Sequence, residues 1–118
     1  MNPSKKILCV DDEYLNLVLL EKILNRNHTV LTACNGDEAL NILDQETNIS
    51  YVFCDLKMPG MSGLDFINKA KDSTNKIKYF LVTGYAIDEE ISHALDSGVI
   101  LGYFQKPINP AEIRQVIQ

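Results

Sequence analysis

Five groups that can do chemistry stand at the ends of short apolar runs. Asp11 and Asp12 follow Ile7–Val10, Asp55 follows Tyr51–Cys54, Thr83 follows Tyr79–Val82, and Lys106 follows Tyr103–Gln105. A charged residue ending an apolar strand is costly unless the strand opens onto water or a cation. Taken singly, each has a plain structural reading. Asp55 can close a turn ahead of Pro59 and Gly60. Asp11 and Asp12 can cap the helix that follows them, Thr83 is at home in a strand, and Lys106 suits a solvated surface. Taken together, they describe something narrower. Clustered carboxylates repel one another and call for a hard cation, and oxygen-only ligands suit Mg²⁺, which keeps several waters and pairs well with phosphate. Lys106 and Thr83 add a positive charge and a hydroxyl donor for a second anionic group. A nucleophilic carboxylate ringed by a cation and donors is an acyl-phosphate site.

That chemistry needs one edge of one sheet to hold all five groups, and the periodicity supplies it. Ile7–Val10, Thr29–Ala33, Tyr51–Asp55, Tyr79–Val82 and Tyr103–Gln105 read as strands. Helical spacing separates them: Leu17, Leu20, Ile23 and Leu24; Ala39, Leu40 and Leu43; Leu64, Ile67 and Ala70; Ile91, Ala94 and Leu95; Ile113, Val116 and Ile117. Start signals agree. Asn35 stands three before Glu38, as in a capping box; Asp88 precedes Glu89 and Glu90; Asn109 precedes Pro110. Gly98 stops the fourth helix. Alternation with short connections means right-handed crossovers and a parallel sheet. Five units are too few for a closed eight-stranded barrel. The expected fold class is α/β, a doubly wound five-stranded parallel sheet in strand order 2-1-3-4-5, a flavodoxin-like three-layer sandwich. In that order strands one and three are neighbours, and the crevice between them is where such sheets bind ligands.

Composition bounds the partners. The chain has 118 residues and a net charge of −5, so one domain spanning 1–118 is expected and a phosphate-backbone reader is disfavoured. No run approaches the roughly 18 apolar residues of a membrane span. Cys9, Cys34 and Cys54 are odd in number and form no C-x-x-C pair, so free thiols in a reducing cytoplasm are expected. His28 and His93 lack partners at metal-ligand spacing.

The chain resembles the response regulator receiver domain of bacterial two-component signalling. The resemblance rests on Lys5-Lys6-Ile7-Leu8-Cys9-Val10-Asp11-Asp12, on Asp55-Leu56-Lys57-Met58-Pro59-Gly60-Met61-Ser62-Gly63, and on Tyr103-Phe104-Gln105-Lys106-Pro107. It implies a phosphorylation-dependent switch rather than an enzyme, with slow self-dephosphorylation at most. Asp55 would be the phosphoacceptor. Asp12 would bind Mg²⁺ directly, Asp11 mainly through water, and the Lys57 backbone carbonyl would complete the protein ligands. Lys106 would pair with the phosphoryl group, Thr83 would donate to it, and Tyr103 would turn inward in response. The donor would be a sensor histidine kinase or phosphotransfer protein. A downstream protein target, or a second copy in a phosphorylation-linked homodimer, would read the face of the fourth helix, fifth strand and fifth helix. The resemblance also implies a cis Lys106–Pro107 bond.

Several features depart from the usual pattern. Lys57 places a long cation two residues after Asp55, and Tyr85 places a ring two after Thr83; together they are expected to shield an aspartyl phosphate from water. The Gly98–Gly102 connection before Tyr103 is one residue longer than is usual in the family. The last helix ends at Gln118 soon after its cap, which fits either a chain end or a cut before an output domain. Rival readings are weaker. An aspartyl-phosphate hydrolase wants a second acid where Lys57 stands. A switch that has lost its chemistry would lack Asp12, Asp55 or Lys106. A dinucleotide enzyme wants a G-x-G-x-x-G after the first strand.

Overall fold

Why the sheet sorts its side chains as it does is visible in β3 (Ile49–Cys54). Tyr51 and Phe53 point to one face, Val52 and Cys54 to the other, and all four are buried. A strand apolar on both sides needs cover on both sides. The computed structural model describes residues 4–71 and 76–117 and provides that cover. Five parallel strands, β1 (Lys6–Val10), β2 (Thr29–Ala33), β3, β4 (Lys78–Thr83) and β5 (Gly102–Gln105), lie in the order β2-β1-β3-β4-β5. This is the expected flavodoxin-like sheet. The helices are α1 (Tyr14–Leu24), α2 (Gly36–Gln45), α3 (Gly63–Ala70), α4 (Glu89–Asp96) and α5 (Pro110–Gln115). The expected end of the last helix, Gln118, lies outside the described residues.

Two cores follow from the alternation. Leu8, Val10, Val52, Cys54 and Leu81 pack under α2, α3 and α4, through Ala39, Leu43, Leu64, Phe66, Ile67, Ile91 and Ala94. Ile7, Cys9, Tyr51, Phe53, Phe80 and Val82 pack under α1 and α5, through Leu17, Leu20, Ile23, Leu24, Ile113 and Ile117. Phe53 and Phe80 stack at 5.2 Å between ring centroids, and Phe104 tilts against Phe80 at 5.9 Å. These rings pack the neighbouring strands β3, β4 and β5 together on one face of the sheet. Gly102 lets Phe80 into that stack, because an added Cβ would approach the ring to 2.9 Å.

The helix starts form with small differences from the spacing argument. Asn35 accepts from the Glu38 amide at 2.8 Å, but the Glu38 carboxylate returns to the Cys34 amide rather than to Asn35. Asn35 itself is extended, with φ −160°. Asp88 caps α4 through the Ile91 amide, and Asn109 caps α5 through the Ala111 amide. Gly98 has φ +80° at the end of α4, a conformation that a side chain would resist. The third and fourth strands each extend beyond the apolar runs, to Ile49 and Lys78, because edge residues continue pairing with their neighbours. Lys106–Pro107 is cis, as the family resemblance implies.

Candidate functional site

The sheet's last rungs place the acids. The Asp11 amide donates to the Ala33 carbonyl, and the Asp55 amide donates to the Val10 carbonyl at 2.9 Å. Both residues therefore leave the sheet at the same edge, one strand apart. Asp11 is 2% exposed and Asp55 6%, whereas Asp12 faces solvent. One carboxylate oxygen from each of Asp11, Asp12 and Asp55 can be chosen so that all lie within 4.8 Å of one another. Three hard oxygens at that spacing fit a Mg²⁺ that keeps part of its water shell.

Lys106 enters from the end of β5, where its amide donates to the Thr83 carbonyl at 2.8 Å. Its ammonium lies 2.9 Å from Asp11 Oδ2 and 3.5 Å from Asp55 Oδ1. Asp11 is also held by the Glu13 amide at its Oδ1. Asp55 Oδ1 accepts from the Leu56 amide at 2.9 Å. The sequence argument grouped Lys106 with an incoming anion; the folded chain gives its shortest contact to Asp11. That preference has no sequence signal, because strand spacing sets it.

Thr83 is fully buried, and its Oγ1 accepts from the Tyr85 amide at 3.3 Å. Tyr103 stands outside the acidic cluster. Its hydroxyl donates to the Tyr85 carbonyl at 2.6 Å. Lys57 is exposed, and its ammonium lies 5.4 Å from the centre of the Tyr85 ring. The two side chains singled out at the rim of the crevice thus meet each other. Tyr85 emerges as the common neighbour of Thr83, Tyr103 and Lys57. Its exposed position in a loop gave no hint of the two backbone contacts.

Burial pushes the Asp55 carboxyl up to about 6, and the nearby Asp11 charge pushes the same way; Lys106 and the Leu56 amide oppose them. Burial acts to lower the Lys106 ammonium, but its hydrogen bond and charge attraction to Asp11, and the Asp55 charge, win and hold it above the ordinary lysine range. A carboxyl raised from 3.8 binds its proton more tightly in the folded chain than in the unfolded one. Folding is therefore free of this penalty below about 4 and bears all of it above about 6. Asp55→Asn keeps the acceptor for Leu56 and removes the charge. In chelator at pH 8 this variant should melt above wild type, and the gap should close as pH falls through 6 towards 4. Thermal melts across that range check it; a gap independent of pH would rule out the ionisation cost.

The chain is similar to known proteins along nearly its whole length. The family model described as "Response regulator receiver domain" matches residues 7–118. Sporulation initiation phosphotransferase F of Bacillus subtilis is 32% identical over 116 residues, covering 98% of this chain and 92% of that protein. The hydrogenase transcriptional regulatory protein HoxA of Cupriavidus necator is 29% identical, and the match spans 23% of its length. A receiver domain protein from Clostridium thermocellum superposes with a TM-score of 0.88 at 30% identity, over 96% of this chain and 90% of that one. The response regulator TrrA of Thermotoga maritima, solved in complex with Mg(2+)-BeF, superposes with a TM-score of 0.81 at 32% identity, over 96% of each chain. With the family match covering nearly the whole sequence and the acidic crevice at the expected sheet edge, the chain belongs to the response regulator receiver domain family.

Proposed function

We propose that this domain accepts a phosphoryl group on Asp55 from a phosphohistidine donor and changes its partner-binding face in response. The observation that carries the reading is the buried Asp55 at the β3 end, flanked by Asp11 and Lys106. As a receiver domain the chain is a regulatory phosphoacceptor of two-component signalling, not a conventional enzyme. Asp12 and Asp55 carboxylates and the Lys57 backbone carbonyl would hold Mg²⁺, with Asp11 acting mainly through water. When bound, the ion neutralises charge on the attacking carboxylate and the phosphoryl oxygens. Lys106 would shift from Asp55 onto a phosphoryl oxygen, and its contacts to both acids support this. The Asp55 oxygen forms its bond to phosphorus as the donor's P–N bond breaks, in line.

A protein donor has a surface to meet. Tyr14 and Leu15 are 75% and 79% exposed at the start of α1, one residue beyond Asp11 and Asp12. A sensor histidine kinase or phosphotransfer protein fits this reading. The three free cysteines, two of them buried, suit a cytoplasmic setting. Among the described residues no helix is long and apolar enough to cross a membrane. The direct test is intact mass after incubation with acetyl phosphate. A Mg²⁺-dependent gain of one phosphoryl group is expected. Labelling that survives Asp55→Ala, or proceeds equally in chelator, overturns the assignment.

The response would run through Thr83, Tyr85 and Tyr103. Thr83 drawn towards a phosphoryl group would strain its bond to the Tyr85 amide, and Tyr103 holds the carbonyl of that residue. Tyr85, Ile87 and Leu101 are each more than half exposed around α4 and β5. These exposed side chains in the loops beside α4 and β5 support a reading in which the α4-β5-α5 face would meet a downstream protein or a second phosphorylated copy. Thr83→Ala should still take label yet lose the response of α4 and β5. NMR shifts on beryllofluoride addition decide this; a wild-type response in the variant refutes it.

Lys57 and Tyr85 would set the lifetime. Their 5.4 Å cation–π contact would crowd the approach for water, and the ammonium could pair with phosphoryl oxygens. Hydrolysis through a loose transition state gains little from a concentrated charge, so shielding outweighs assistance. Lys57→Asn and Tyr85→Ala should each lose phosphate faster than wild type in Mg²⁺ buffer. First-order loss of label measures it, and unchanged rates in both variants would remove these side chains from the account.

A further inference from the structure

The start of α3 carries a constraint that the acidic crevice does not explain by itself. Gly63 is the first residue of α3 and is buried. A Cβ built on it overlaps the Asp55 carbonyl oxygen, lies 3.0 Å from the Asp55 carbonyl carbon and 3.2 Å from Cys54 Sγ. Two of those three atoms are backbone of the acceptor residue, so no flexible side chain can yield. The Gly63 amide also donates to the Leu56 carbonyl at 2.8 Å. Gly63 therefore touches both residues that share the Asp55–Leu56 peptide.

That peptide is a rigid plane. Its carbonyl faces Gly63, and its N–H donates to Asp55 Oδ1 at 2.9 Å. Pressing on the oxygen tilts the whole plane and swings the N–H away from the carboxylate. Neither neighbour offers an easier escape. The Asp55 amide is fixed to Val10 in the central sheet, and Leu64, Phe66, Ile67 and Ala70 bury α3 on several sides. Rotation of the peptide between Asp55 and Leu56 is the softest movement left, because the chain beyond Leu56 leaves the strand.

We propose that Gly63 is a positioning residue for phosphoryl transfer: its missing Cβ lets the Asp55–Leu56 peptide hold the acceptor carboxylate in its productive orientation. It touches neither donor nor metal and acts through one peptide plane. The inference rests on Asp55 being the phosphoacceptor. Placement matters at this level because displacing a reacting group by about 1 Å can cost about a hundredfold in rate.

The test compares Gly63→Ala with Ile67→Val, which loosens the same helix without pressing on Asp55. At saturating acetyl phosphate and Mg²⁺, Gly63→Ala should label about tenfold more slowly or worse, while Ile67→Val should label at the wild-type rate. In the metal-free proteins the Leu56 amide proton of Gly63→Ala should move upfield as its bond to the carboxylate is lost, with β1 and β2 amides unmoved. That shift reports the peptide plane and not general stability. A Gly63→Ala protein that labels like wild type, slows only as much as Ile67→Val, or keeps the Leu56 shift overturns the proposal. Should the variant fail to fold, wild type carries the test. A scalar coupling across the hydrogen bond from Leu56 N to Asp55 Cγ is expected, and its absence overturns the geometry. Labelling that survives Asp55→Ala would instead defeat the phosphoacceptor reading itself, leaving the two failures distinct.

Discussion

Two carboxylates buried one strand apart, with a single ammonium between them, are the constraint on which this structure turns. A parallel sheet brings the C-terminal ends of β1, β3 and β5 to one edge, and with them Asp11, Asp55 and Lys106. Burying like charges together is expensive unless a partner compensates. Lys106 compensates unevenly. It sits closer to Asp11 than to Asp55, so the first acid is well paired and the second carries the residual cost, visible as a carboxyl raised to about 6. A site left short of positive charge in this way gains from a hard cation. Stability is given up locally where function is gained, as is usual at such sites.

The walls of the crevice do different work from its floor. The floor is tightly bonded: the Asp55 amide donates to Val10, its carbonyl accepts from the Cys54 thiol with Gly63 packed close against it, and its carboxylate accepts from the Leu56 amide. The rim towards α4 is built from contacts that can be exchanged. Thr83 holds the Tyr85 amide at 3.3 Å, Tyr103 holds the Tyr85 carbonyl, and Lys57 rests on the exposed ring. Single hydrogen bonds and an exposed cation–π contact are each worth about 1 kcal/mol. Forces of that size can be outbid by a new doubly charged group, whereas the buried aromatic stack behind them cannot. The division leaves Asp55 held more firmly than its surroundings.

What the sequence determined by itself was periodicity and chemistry. Apolar runs of four or five residues alternating with helical stripes require a covered parallel sheet, and the order of units leaves one sensible winding. Asp11, Asp12, Asp55, Thr83 and Lys106 fall at the run ends, so their meeting at one edge was legible. The caps at Asn35, Asp88 and Asn109 were legible too, because capping is a local interaction. The tertiary structure alone decided distances and partners. Whether Lys106 lies nearer Asp11 or Asp55 depends on how β1, β3 and β5 are registered in the assembled sheet. That Tyr85 joins Thr83, Tyr103 and Lys57 depends on the path of one loop. That Gly63 lies against the Asp55 carbonyl depends on where α3 begins after the loop has turned. Propensity and periodicity act within a few residues of chain, whereas these contacts join segments brought together only when both cores close.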